Sequence, residues 1–171
     1  MKTFQSLFLL ITLACVPSKA LFAEAELVQT PYQEQKVVLD FYLDEPAKMG
    51  IALFWLRSLL NPLTAEPYNL APDFHEIKVI IHGTELVTTV KHNYDKYKNV
   101  VERMRYYTEF GVEFKVCALA AKDYDYEYSD FHDFIQIVPS AITELAHWQQ
   151  QGFALITPNV PEKKYSIDEI R

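Results

Sequence analysis

Cysteine and glycine are scarce in this chain, and positive charge is in deficit. Cys15 and Cys117 are the only thiols among 171 residues. No Cys-x-x-Cys pair exists, which removes thioredoxin-type redox chemistry. Glycine occurs four times, at Gly50, Gly83, Gly111 and Gly152. No Gly-rich loop can therefore wrap a phosphate, and dinucleotide and ATP enzymes are disfavoured. There is no Gly-x-Ser-x-Gly elbow of the usual serine hydrolases. No His-x-x-x-His spacing is present either, so Asp130, His132, Asp133 and His75 read as ordinary surface and loop residues, and neither a metal nor a cofactor is expected.

The N-terminus reads as a targeting segment. Lys2 supplies a short positive region, Phe4 to Val16 a mostly apolar run too short to span a bilayer, and Ser18-Lys19-Ala20 or Ala23-Glu24-Ala25 the small residues a signal peptidase recognises. Residues 1–23 are expected to be a cleaved signal peptide, giving a periplasmic or secreted protein with no membrane attachment afterwards. Without Lys2 and Lys19, 16 basic residues become 14 against 23 acidic, and the net charge moves from −7 to −9. So acidic a chain lacks the basic face that nucleic acid requires. Cys15 leaves with the signal, and Cys117 remains as one unpaired thiol.

The remainder is one domain in length. Gln35–Leu43 is rich in β-branched and aromatic residues and predicts a strand. Asp44-Glu45-Pro46 predicts a helix start, and the helix should stop before Pro62. Its interior, Ile51 to Leu56, is apolar on all sides, as in a helix that is sandwiched or that meets another subunit. Ile77–His82 is a second strand. Tyr94, Tyr97, Val101, Met104 and Tyr107 mark one face of a helix that Gly111 closes. Val112–Ala118 is a third strand and Phe134–Val138 a fourth. A helix from Ser140 then ends at Gly152, and Phe153–Thr157 is a fifth strand. Residues 119–133 fit no single pattern, and residues 159–171 form a polar tail. Strands alternating with helices call for a parallel sheet covered on both faces, with ligands gathered where the strands end.

That edge collects Asp44, His82, Gly83, Cys117, Ser140, Thr157 and Asn159. A thiolate there gains from a nearby cation or helix N-terminus. Lys115, two residues back, shares a sheet face with Cys117, and His82 approaches if the second and third strands are neighbours. A free cysteine is as readily a small buried hydrophobe. Asp40 stands out in an otherwise apolar strand, either as a functional carboxylate or as a residue at a water-facing edge. Tyr124, Tyr126 and Tyr128 either line a pocket or cover the sheet.

The stretch Gly111-Val112-Glu113-Phe114-Lys115-Val116-Cys117-Ala118-Leu119-Ala120-Ala121 resembles the DsrE/DsrF-like family, sulfur-relay members included. So do Val79-Ile80-Ile81-His82-Gly83, Val138-Pro139-Ser140 and Gln151-Gly152-Phe153-Ala154-Leu155-Ile156, which together span most of residues 35–158. The resemblance implies a three-layer α/β/α fold with a five-stranded parallel sheet and a homo-oligomer, a trimer or hexamer. It also implies a persulfide-carrying role for Cys117 toward a sulfur donor or acceptor protein; His82, Gly83, Lys115 and Asp44 are expected as binding residues from their places at the strand ends and beside Cys117 on the sheet. Relatives often carry a Gly and basic residues after the cysteine segment, whereas this chain has Asp123-Tyr124-Asp125-Tyr126-Glu127-Tyr128. A sulfur-handling protein and a non-catalytic oligomeric protein that binds a small ligand or a partner, with a structural Cys117, both stay open.

Overall fold

The structure is a computed structural model that describes residues 24–171; the expected signal peptide lies outside them. Five strands line up in parallel: β1 (Lys36–Phe41), β2 (Glu76–Ile81), β3 (Glu113–Cys117), β4 (Ile135–Val138) and β5 (Ala154–Ile156). Their order in the sheet is β4-β3-β2-β1-β5. The chain steps outward from β1 to β4 and then returns to place β5 on the far side of β1. Four helices connect or follow these strands, α1 (Met49–Thr64), α2 (Tyr94–Thr108), α3 (Ala118–Asp123) and α4 (Ala141–Gln150), and α5 (Ile167–Ile170) lies in the tail.

The period-two alternation of the strands decides which face meets which helix. Val37, Leu39 and Phe41, Ile77, Val79 and Ile81, and Phe114 and Val116 point to one face, where they pack with Leu53 and Leu56 of α1, Val101 and Met104 of α2, and Ala121 of α3. Val38, Ile80 and Cys117 point to the other face, beneath Ala141 and Leu145 of α4 and Phe153. One face thus carries three helices and the other carries α4, giving the three layers expected. Gly111 at φ +80° and Gly152 at φ +87° close α2 and α4 in the left-handed region, a conformation that favours glycine.

Two predicted boundaries move. Asp44 does not cap a helix: a 3-10 turn, Pro46–Lys48, precedes α1, and the Asp44 carboxylate takes the Lys48 ammonium at 2.8 Å. α1 also runs through Pro62 to Thr64. The last turn survives the missing N–H because Leu60 and Leu63, on either side of the proline, are buried. Away from the core side of α1, Ile51, Phe54 and Trp55 remain 56%, 48% and 37% exposed.

Candidate functional site

Each strand ends on the same edge, and the loops that leave β1 and β2 build a site there. Asp40 and His82 sit on the same sheet face of neighbouring strands. Asp40 is level with Ile80, so His82 lies one side-chain step further on. Its Nε2 meets Asp40 Oδ1 at 2.7 Å, and the imidazole stacks on Tyr42 with 4.8 Å between ring centres. Asp40 Oδ2 also accepts from the Thr157 hydroxyl at 3.4 Å. β1 lies between β2 and β5, so Asp40 belongs to a central strand and answers to a histidine, instead of facing water from an edge.

Glu85 holds these loops together. Its side chain is fully buried. One carboxylate oxygen accepts the Leu43 N–H at 2.9 Å; the other accepts those of Gly83 at 2.9 Å and His82 at 3.2 Å. Burial pushes the Glu85 carboxyl up, and the N–H donors pull the other way. Gly83 is required by space: a Cβ there would lie 2.5 Å from Glu85 Oε2 and from the backbone N and O of Leu43.

Above this frame opens a cavity of about 320 Å³, walled in part by Tyr42, Asp44, His82, Gly83, Asp123 and Tyr124. Three of the binding residues expected from sequence, His82, Gly83 and Asp44, meet here. Tyr124 joins them, while Tyr126 and Tyr128 line a separate hollow with Pro139.

Cys117 stands next door but closed in. Val116 is level with Ile81, so Cys117 and His82 occupy adjacent positions at the strand ends. The residue is 5% exposed, in a cluster with Val38, Ile80, Ala141, Leu145 and Phe153 against which Ala120 packs. Ala120 also lines the cavity, so one small side chain is shared by both. The Ala141 N–H, opening α4, donates to Sγ at 3.3 Å. Among the described residues no hydrogen bond joins Sγ to the imidazole. Of the two readings left open from sequence, the small buried residue describes how Cys117 sits here, with the start of α4 lying across it.

Lys115 is committed elsewhere. Its ammonium bonds Glu113 at 2.9 Å and Gln136 at 2.5 Å and lies over the Trp148 ring, where Lys78, also paired with Glu113, joins it. The lysine shares the sheet face of Cys117, as the alternation requires, but its charge is spent on a buried ion cluster under α4.

Glu85, Tyr42 and Asp123 were not picked out in the sequence as site residues. A carboxylate two positions after Gly83, followed by Leu86 and Val87, was the available signal for Glu85.

The fold and the site define an α/β protein with a parallel sheet and a ligand-sized hollow at its strand ends. Residues 36–158 match the DsrE/DsrF-like family, and the chain belongs to it. Among solved structures, a protein of unknown function from Methanobacterium thermoautotrophicum is similar in fold, with a TM-score of 0.57 and 17% identity over 74% of this chain and 100% of that one. No curated protein matches.

Proposed function

We propose that this chain is an exported DsrE/DsrF-like protein that binds a small ligand at the strand ends, with Cys117 in a structural role. The observation that carries the reading is the cavity of about 320 Å³ beside the His82–Asp40 pair, next to a sulfur that is 5% exposed. The imidazole is oriented by a carboxylate on one nitrogen, which leaves the other to a ligand. Residues 1–23 support a periplasmic or secreted location by their composition. The exposed Ile51, Phe54 and Trp55 support a homo-oligomer, a trimer or hexamer, since such a face is better buried against a second copy. A thermal-shift screen tests the reading: some compounds should raise the melting temperature equally in wild type and Cys117→Ser. A screen in which no compound does so counts against it.

One observation favours a second reading, sulfur transfer. The connections leaving β3 and β4 diverge to opposite faces, which is where ligands gather in open sheets. Cys117 occupies that point, with the Ala141 N–H aimed at its sulfur. Its thiolate would attack the outer sulfur of a donor persulfide, forming Cys–S–S⁻ and releasing the donor thiolate. A mass gain of one sulfur atom on the purified protein, absent in Cys117→Ser, would establish it.

A further inference from the structure

The cavity at the strand ends offers acceptors and ring faces but almost no donors. Backbone N–H groups around the ends of parallel strands ordinarily cradle anions. Here Leu43 and Gly83 give theirs to Glu85, at 2.9 Å each, and His82 divides its own between Glu85 at 3.2 Å and the Phe41 carbonyl at 3.1 Å. The chain thus supplies its own anion to the place a phosphate or carboxylate would take. The N–H and hydroxyl of Thr84 are likewise spent, both on the Leu43 carbonyl, at 2.9 and 3.0 Å. Among the described residues no lysine or arginine lines the hollow.

What is left facing the space has the opposite character. Asp123 has no ion-pair partner among the described residues, and Asp44 is paired only with Lys48. With His82 Nε2 donating to Asp40, a ring in its neutral form has its acceptor at Nδ1. The rings of Tyr42 and Tyr124 stand at the rim, and tyrosine faces attract cations.

We infer that the cavity takes a small organic cation, an amine with an apolar or aromatic body. Its ammonium goes to Asp123 and His82 Nδ1, and its body lies against the tyrosines. This deepens the binding reading above and rests on it.

A matched pair of probes tests the sign of the charge. Tyramine and 4-hydroxyphenylacetate share a ring and differ in bearing an amine or a carboxylate. Each is titrated into the isotopically labelled protein and followed by amide chemical shifts. Tyramine should shift Tyr42, Gly83 and Tyr124 saturably, and the acid should leave them still. Asp123→Asn, a change at an exposed helix end that spares the fold, should weaken tyramine by about tenfold. Binding of the acid at those amides as tightly as tyramine, or an affinity unmoved by D123N, overturns the cation inference and leaves a binding site standing. Silence from both probes also overturns it, and the broader reading then rests on the compound screen alone.

Discussion

Asp40 Oδ1 and His82 Nε2 lie 2.7 Å apart across two adjacent parallel strands, at the edge where both strands end. The carboxylate calls for a proton on Nε2, so a neutral ring presents its lone pair on Nδ1. Nitrogen chemical shifts should therefore report the Nε2–H tautomer in wild type and lose that preference in Asp40→Ala. The same variant should cost about 1–2 kcal/mol of stability, measured by urea unfolding, because a half-buried hydrogen bond to a charged group is lost. An unchanged tautomer would mean that something else orients the ring.

Glu85 and Gly83 form a lock at the same edge. Glu85→Ala leaves the buried N–H groups of Leu43 and Gly83 without acceptors and should destabilise by about 2 kcal/mol or more. Gly83→Ala drives a methyl against Glu85 and Leu43 and should cost about 2–4 kcal/mol by the same measurement. Conversely, variants at the exposed Tyr128 should stay within about 0.5 kcal/mol of wild type.

Mild acid should loosen the fold through two buried histidines. Burial holds the imidazoles of His75 and His132 below the ordinary value of 6.5. Each stays neutral in the folded chain while its unfolded counterpart takes a proton, so stability is full above 6.5 and falls as pH drops through it. Glu85 works in the other sense. Its raised carboxyl holds a proton in the folded state above the ordinary 4.5, so acidification through that window adds stability. Melting temperatures taken from about pH 7 down to 5 should show a smaller decline in His75→Asn, which keeps an acceptor for the Gln35 N–H. Parallel curves for the two proteins would remove His75 from the account.

The exposed face of α1 gives a separate expectation. If Ile51, Phe54 and Trp55 meet other copies of the chain, Phe54→Glu should convert the oligomer to a monomer in light scattering and leave the circular dichroism intact. A wild-type protein that is monomeric at high concentration would end the oligomer proposal.

Much of this was legible in the residues. Alternation in Val37–Phe41 and Ile77–Ile81 marked the sheet, and the glycines after α2 and α4 marked two helix ends, since both signals are local. His82, Gly83 and Asp44 could be placed at one edge because a parallel sheet collects its strand ends there. The Asp40–His82 pairing was not legible, because it depends on which strands are neighbours. The same holds for the closure of Cys117. Which of Val138 and Ala141 would come to rest near the sulfur follows from β4 pairing with β3 and from α4 crossing back to the opposite face. The failure at Asp44 had a different origin: the first turn begins one residue later, with Glu45 at its N-cap position, and the Asp44 carboxylate is left to Lys48.

The rate at which iodoacetamide labels Cys117 in the folded protein, read by intact mass, bears most directly on the proposed function. Labelling should be far slower than in urea-unfolded protein and should proceed only as the fold opens. Rapid stoichiometric labelling of the native state would show a thiol that α4 does not cover, and the ligand-binding account with a structural cysteine would give way to sulfur transfer.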